Sequence, residues 1–265
     1  MKNRFLGLLA LTLGSAAALA SANASDFYVP GGYKDGPCCG PIWTGFYLGA
    51  HVGGAWGDLT AVDRDGYNTK VGDHTTLSPS GVFGGLTAGV NWQRGAAVFG
   101  FEGDIGGMDL KARRVMPASA ALFGGDTSAA LDQGAYGDFT ARLGYLFRPD
   151  ILVYGKGGVA MYDGRFRVED DCSTAPCGSA TILATGNRTF LGWTAGGGAE
   201  YFVFPRWTVK AEYQFFDFGS GKVKGVTGNS QAGTLFTFDA KDFTASTVKV
   251  GFAYHFGGPS YEPFK

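Results

Sequence analysis

The sequence predicts an all-β protein, an eight-stranded antiparallel up-and-down transmembrane β-barrel with long extracellular loops and short periplasmic turns. Three observations lead to this prediction. Apolar and polar residues alternate along eight segments, which is the period of a β-strand with two unlike faces. The connections between the segments are alternately long and short. The polar faces carry few charges, in equal numbers of acids and bases, and the opposite faces carry none.

The last segment, Thr244 to Phe256, shows the alternation most clearly. Its bulky face ends in the aromatic residues Tyr254 and Phe256, and its other face carries Lys249, His255 and small residues. The same pattern predicts seven earlier strands, at about residues 43–56, 82–93, 97–110, 136–147, 151–162, 188–204 and 207–216. Strands of this length suffice for a tilted membrane crossing.

The connections predict the topology. Three are tight turns at Arg94, Pro149 and Pro205, and proline presets the backbone for a turn. Four are long and polar, and they are expected to be loops over residues 57–80, 111–133, 163–187 and 219–242. An even number of strands with short turns at one end and long loops at the other is typical of an outer-membrane barrel. The turns are therefore expected in the periplasm and the loops outside the cell.

Strand parity places a balanced set of charges on the polar faces: Glu102, Asp104, Arg142, Lys156, Glu200, Lys210, Glu212 and Lys249. A water-soluble barrel of the lipocalin type is the alternative, but it would turn bulky residues inward and many more charges outward. Because an eight-stranded barrel has room for little besides side chains, the charges are expected to pair across the lumen. Aromatic residues near strand ends form the girdle expected at a membrane interface: Trp43, Trp92, Tyr145, Phe147, Tyr201, Trp207, Tyr254 and Phe256.

The ends of the chain are expected to lie outside the barrel. Residues 1–24 have a basic start, an apolar run and the small-x-small sequence Ala22-Asn23-Ala24, which predicts a secretory signal peptide rather than a membrane anchor. Residues 25–42 are rich in Pro and Gly and are expected to be a flexible periplasmic leader. The barrel is expected over 43–256, and residues 257–265 are expected to be a periplasmic tail.

Composition excludes several classes of protein. The chain has 22 Lys and Arg residues against 23 Asp and Glu residues, so it lacks the basic footprint of a nucleic-acid-binding protein. Its 45 glycines follow no Gly-X-Y period, which excludes collagen, and glycine in alternating strands favours a barrel. No apolar run after residue 24 is long enough for a transmembrane helix.

Three motifs resemble those of a known family. The opening Trp43-Thr44-Gly45-Phe46-Tyr47-Leu48-Gly49, followed by Gly53-Gly54, resembles the start of the porin-like immunogenic outer-membrane surface proteins of alphaproteobacteria, within the OmpA-type porin family. Tyr154-Gly155-Lys156-Gly157-Gly158-Val159-Ala160 resembles their central strand. The segment from Lys249 to Phe256 resembles their C-terminal assembly signal, although here nine residues follow it. The resemblance implies a location in the Gram-negative outer membrane and a surface-antigen role.

The expected partners follow from this assignment. Within the assembly signal the relevant residues are Lys249, Gly251, Tyr254 and Phe256, which the outer-membrane assembly machinery would read. Periplasmic chaperones, outer-membrane lipid and lipopolysaccharide are the other expected partners, and no nucleic acid is expected. The sequence gives no indication of oligomeric state.

No residue set indicates catalysis, a metal or a cofactor. Cys172 and Cys177 are expected to form a disulfide that closes the third loop, with two free thiols as the alternative, and Cys38 and Cys39 have no assigned role. His51 and His255 are expected in the interior or at a barrel end. The expected function is structural, in envelope integrity and as a surface antigen without a large open pore. A narrow channel for small solutes or ions and a loop-mediated ligand- or host-binding protein are the alternatives, with an outer-membrane enzyme less favoured.

Overall fold

Ten β-strands form one antiparallel sheet in the computed structural model of the protein, which describes residues 43–66, 70–117, 127–170, 182–226 and 235–256. The strands are β1 (Gly45–Asp63), β2 (His74–Leu77), β3 (Ser80–Arg94), β4 (Ala97–Met108), β5 (Ala112–Val115), β6 (Thr127–Arg148), β7 (Ile151–Asp170), β8 (Ile182–Phe204), β9 (Trp207–Val226) and β10 (Leu235–His255). No helix in the described part of the chain is long and apolar enough to span a membrane.

Eight of these strands close into a ring. Neighbours pair in the order β1, β3, β4, β6, β7, β8, β9 and β10, and β10 returns to β1 through pairs that run from Tyr47–His255 to Asp63–Phe238. The short β2 pairs with β1 beyond the end of β3, and β5 pairs with β6 beyond the end of β4. The ring leaves no open edge among the long strands, and the predicted eight-stranded antiparallel barrel is confirmed.

The two ends of the barrel differ. At one end, called the turn end, only Gly95-Ala96, Pro149-Asp150 and Pro205-Arg206 separate consecutive strands. Gly95 has a φ of 62°, a value that favours glycine and suits a two-residue hairpin turn. The opposite end, called the loop end, carries the longer connections. The tight turns therefore fall where the sequence predicts them.

The strands run further toward the loop end than the sequence predicts. β6 begins at Thr127, β7 continues to Asp170 and β9 continues to Val226, so the predicted loops over 57–80, 111–133, 163–187 and 219–242 are wrong over much of their length. β8 and β10 likewise begin earlier than predicted, at Ile182 and Leu235. Parts of segments that look like polar loops are strands whose outward residues are charged.

An apolar belt surrounds the half of the barrel at the turn end. The outward positions in this belt carry no charged residue in the segments Phe46–Trp56, Val82–Trp92, Ala97–Gly107, Ala135–Phe147, Val153–Met161, Leu191–Val203, Trp207–Phe215 and Ser246–Phe256. Phe147 and Leu143 are 77% and 68% exposed. The belt matches the height that a tilted membrane strand of about 9–11 residues spans.

Aspartates end the belt on the side of the loop end. The next outward side chains along β1, β7 and β9 are Asp58, Asp163 and Asp217, and Asp109 directly follows β4. Beyond these residues the outer wall carries charged pairs, such as Arg167 Nη1 with Glu169 Oε1 at 3.0 Å. The wall therefore changes from lipid-compatible to water-compatible at the level of the aspartates.

The polarity of the lumen changes along the barrel in the opposite direction to that of the outer wall. In the half at the loop end, the lumen is filled by a buried apolar core rich in aromatic residues, including Tyr162, Phe166, Phe218, Phe238 and Phe243. In the half at the turn end, the lumen holds charged and polar residues. The protein thus combines a membrane barrel, polar inside and apolar outside, with a continuous extension that has the polarity of a water-soluble barrel.

The predicted aromatic girdle is wrong for one residue, Trp43, which does not lie on the outer wall. Its side chain is completely buried, and its ring packs against Phe202 at 4.6 Å between centroids. The indole Nε1 donates a hydrogen bond of 3.0 Å to the carbonyl oxygen of Pro149. Trp43 precedes the barrel strands, and its side chain therefore packs inside the lumen at the turn end. The other predicted girdle residues lie on the outer wall.

Candidate functional site

The eight charged residues that parity places inside the barrel all lie in the lumen. Each is at least 94% buried, and they come from six different strands. The ionic network is defined here as these residues: Glu102, Asp104, Arg142, Lys156, Glu200, Lys210, Glu212 and Lys249. Alternation along each strand brings them together, since every member occupies an inward position of its strand.

Glu102 on β4 is the centre of the ionic network. Its Oε1 lies 2.8 Å from Lys156 Nζ, and its Oε2 lies 3.0 Å from Lys210 Nζ and 3.3 Å from Arg142 Nη1. Tyr47 donates a hydrogen bond of 2.7 Å to the same Oε2. A Cβ at Gly89 would overlap the Tyr47 ring, so the glycine makes room for this tyrosine. One buried carboxylate is therefore shared by three cations.

Asp104 and Glu212 extend the ionic network toward the loop end. Lys249 Nζ lies 2.6 Å from Asp104 Oδ2 and 2.8 Å from Glu212 Oε1, and Lys156 Nζ lies 3.2 Å and 2.9 Å from the same two atoms. Tyr154 donates a hydrogen bond of 2.6 Å to Glu212 Oε2. The two lysines thus hold two carboxylates that would otherwise repel one another.

Glu200 forms the part of the ionic network nearest the turn end. Its Oε2 accepts a hydrogen bond of 2.8 Å from Arg142 Nη2, and its Oε1 accepts one of 2.7 Å from Thr208 Oγ1. His255 Nε2 lies 3.2 Å from Glu200 Oε1. The Arg142 guanidinium bridges Glu200 and Glu102, so this part of the ionic network is joined to its centre. The Arg142 Cζ also lies 4.0 Å from the centroid of the Tyr154 ring.

Sequence reasoning missed one buried carboxylate of the lumen, Asp138. Asp138 is buried, accepts a hydrogen bond of 3.2 Å from Gln214 Nε2 through Oδ2, and adds a fifth carboxylate to the four of the ionic network. Alternation with the outward Phe139 could have identified it, because Asp138 shares the parity of Arg142. His51 hydrogen-bonds Thr87 at 2.9 Å through Nδ1 and Tyr136 through Nε2, so it lies inside the barrel, as predicted.

Apolar layers close both sides of the ionic network. On the turn side, Trp43, Val98, Leu152, Tyr154 and Phe202 pack together. On the loop side lies the aromatic core of the extension, and Tyr136 borders it next to His51. Buried side chains of the described residues thus fill the lumen at three successive levels.

Three carboxylates lie close enough to be compared with a cation site. Oxygen atoms of Glu102, Asp104 and Glu212 all lie within 4.8 Å of one another. The space between these carboxylates already contains an ammonium group, because Lys156 Nζ lies within 3.2 Å of a carboxylate oxygen of each residue. The charge that a metal ion would supply is therefore provided by lysine.

The residues of the predicted assembly signal lie on both faces of the last strand, and the other predicted site residues lie outside the described residues. Lys249 and Gly251 of the predicted assembly signal face the lumen, whereas Tyr254 and Phe256 lie on the outer wall, with ring centroids 4.9 Å apart. Cys172 and Cys177 lie outside the described residues, as do Cys38, Cys39, the predicted signal peptide, leader and tail.

The closed ring, the apolar belt and the charged, plugged lumen define a class of protein: an integral β-barrel of the outer membrane. The sequence matches the family model described as "Outer membrane protein beta-barrel domain" over residues 41–256, so the chain belongs to this family and is an outer-membrane protein.

Relatives and a solved structure agree with this assignment. The chain is 30% identical to the 31 kDa outer-membrane immunogenic protein of Brucella melitensis, over 92% of this chain and 98% of the relative. It is 28% identical to the 22 kDa outer membrane protein of Rhizobium leguminosarum, over 81% of this chain and 78% of the relative. The fold is similar to that of OprG from Pseudomonas aeruginosa, with a TM-score of 0.51, 12% identity and coverage of 82% and 99%.

Proposed function

We propose that the protein is a structural component of the outer membrane, which anchors surface loops and supports envelope integrity without conducting solutes or catalysing a reaction. The observation that carries this proposal is the filled lumen. A chain that uses its interior volume for buried ion pairs and aromatic packing gains rigidity and leaves no space for a substrate.

The geometry of the ionic network also favours a structural role over catalysis. Each of the eight side chains is engaged by an oppositely charged neighbour. They lie between two apolar layers and have no open face toward solvent. A general acid or base needs contact with a substrate, which this arrangement does not offer. The names of the relatives, outer-membrane immunogenic proteins, accord with a surface-antigen role.

The loop end is proposed to face outside and the turn end the periplasm. The support for this orientation is the charged wall beyond the aspartates, which extends well past the membrane belt, whereas the turn end finishes close to it. The assembly machinery is proposed to read Lys249, Gly251, Tyr254 and Phe256, with periplasmic chaperones delivering the unfolded chain.

Liposome swelling tests the proposed function. Liposomes that contain the purified protein are diluted into isotonic solutions of amino acids and sugars of increasing size, and the change in turbidity is followed. The proposal predicts swelling at the rate of protein-free liposomes for every solute. Swelling that falls with increasing solute size would instead establish the narrow channel, and the ionic network would then be its selectivity region.

A further inference from the structure

A polar cavity and an apolar groove meet on the outer wall where the membrane belt ends. The cavity has a volume of about 500 Å³ and is lined by Lys111, Asp132, Gln133, Asp163, Gly164 and Arg165. The groove, of about 680 Å³, lies on the wall formed by β1, β3, β4 and β6. Gln133 and Asp163 line both spaces, so the two are continuous.

Small residues form the floor of the groove. Gly84 pairs with Gly107, and Gly107 pairs with Ala135, so at this level three adjacent strands present almost no side chain to the outside. Val52 and Val82 stand beside this floor and are 58% and 66% exposed. Because these outward positions belong to the apolar belt, the groove has the polarity to hold an acyl chain of the outer leaflet.

The cavity has a different chemistry. Lys111 is held by Asp109, with Nζ 2.8 Å from Oδ1, and its side chain remains 59% exposed. Asp132 pairs with Arg167 at 2.9 Å between Oδ2 and Nε. The cavity is lined by the cations Lys111 and Arg165, which suit a phosphate, and by carboxylates and an amide, which suit sugar hydroxyls. A bare phosphate would meet the two carboxylates, whereas a phosphorylated sugar can use both kinds of group.

We propose that this composite site binds a phosphorylated, acylated sugar lipid of the outer leaflet, with the sugar phosphate in the cavity and one acyl chain in the groove. The match between a mixed-charge cavity and a continuous apolar groove at the membrane border carries the proposal. The inference rests on the proposed orientation, because only an outward-facing loop end places the site in the leaflet that contains such lipids.

A binding titration tests the proposal. The purified full-length protein, in an uncharged detergent, is titrated with lipid A, an acylated glucosamine disaccharide that carries two phosphates, and the bound copies are counted by native mass spectrometry. Two variants remove the two halves of the site: Gly107→Phe fills the groove, and Lys111→Gln combined with Arg165→Gln neutralises the cavity. A Cβ at Gly107 meets no atom within 4 Å, so the first variant is expected to fold normally.

Matched controls separate the site from general effects. Gly155→Phe adds the same ring at another outward glycine of the belt, where the nearest atom to a Cβ is Gly196 O at 3.8 Å. Lys241→Gln removes an exposed cation from β10, outside the cavity. Heat-modifiable electrophoretic mobility confirms that each variant is folded before binding is measured.

The expected result is a loss of affinity for lipid A of about tenfold in each site variant, and affinity unchanged in both controls. Dephosphorylated lipid A should bind the wild type more weakly and should not distinguish it from the doubly neutralised variant. The proposal is overturned if Gly107→Phe binds like Gly155→Phe, or if phosphatidylethanolamine of equal chain length binds as tightly as lipid A. This assay depends on neither orientation nor conductance, so its failure is distinct from a failure of the proposed function.

Discussion

Lys210 Nζ lies 3.0 Å from Glu102 Oε2 in the lumen, although 108 positions separate the two residues in the sequence. Both side chains are almost completely buried, at 2% and 0% exposure. The contact joins β9 to β4 across the barrel, so it can form only when the ring has closed. The pair therefore links the stability of the barrel to the closure of its lumen.

Removal of one member of this pair should destabilise the protein. In Lys210→Leu, Glu102 keeps Lys156 and Arg142, but the ionic network then has three cations for its four carboxylates. A buried charge that has lost its compensating partner costs about 3–5 kcal/mol in closed interiors. We expect a lower thermal midpoint of the transition from the folded to the unfolded electrophoretic band. Lys222→Leu is the matched control, since Lys222 is exposed on the same strand. Equal midpoints for the two variants would mean that the network is solvated and the lumen water-filled.

The aromatic core of the extension should contribute comparable stability. Phe243 is completely buried, and its ring lies 5.0 Å from Phe218 and 5.2 Å from Tyr162 between centroids. Phe243→Ala should cost about 3–5 kcal/mol through lost burial and the cavity that it leaves. Faster amide hydrogen exchange at the loop end of β10 would report this loss. The lipid-facing Phe252→Ala should leave the exchange unchanged, and equal effects would show that the extension has no packed core.

Limited proteolysis of intact cells should reveal the orientation. Lys70 is exposed in the connection between β1 and β2 at the loop end, whereas Arg94 is exposed beside the Gly95-Ala96 turn. We expect trypsin to cleave after Lys70 on whole cells and after Arg94 only once the outer membrane has been opened. Arg113 and Lys222, which the sequence alone presents as loop sites, lie in strands and should be cut slowly. Cleavage after Arg94 in intact cells would reverse the proposed orientation.

The proposed assembly signal gives a further prediction. Phe256 packs on Phe46 of the first strand, and Tyr254 packs on Trp207, with ring centroids 5.5 Å and 5.2 Å apart. Phe256→Ala or Tyr254→Ala should lower the amount of folded protein in the outer membrane and leave protease-sensitive chain in the periplasm. Phe252→Ala is the control on the same face of β10 and should assemble normally.

Deletion of residues 257–265 tests whether the residues after Phe256 are needed for assembly. The proposed signal ends at Phe256, before the deleted residues, so the truncated chain should still assemble and show heat-modifiable mobility in outer-membrane fractions. If the truncated chain failed to assemble while both aromatic variants assembled normally, the signal would lie in the tail.

The membrane half of the barrel could be predicted from the sequence because one physical rule governs it. Each strand there must turn an apolar face to lipid, so a period of two with a charge-free face identifies both the strand and its inward residues. This rule alone places Lys156, Glu200 and Lys210 in the lumen. Asp138 obeys the same rule and lies within the predicted strand 136–147, but the predicted set of interior charges does not include it.

The part of the barrel beyond the membrane belt could not be predicted in the same way. There the outward residues are polar and the inward residues are apolar, which is the reverse of the pattern in the membrane half. On β7, Arg165 and Arg167 point outward while Phe166 and Val168 are buried, so the alternation persists with its polarity inverted. A search for charge-free outward faces ends the strand at Tyr162 and assigns the rest to a loop. The precise pairing of the network depends on which strands face each other across the lumen, and strand parity alone does not determine this.

Ion conductance across a planar lipid bilayer is the most direct test of the closed lumen. The purified protein is inserted under an applied voltage, and current is recorded for the wild type and for Lys210→Leu. A closed lumen predicts that the wild type leaves the current at the level of the protein-free bilayer. Discrete current steps in the wild type, with a size or ion preference that changes in Lys210→Leu, would contradict it and establish a pore through the ionic network.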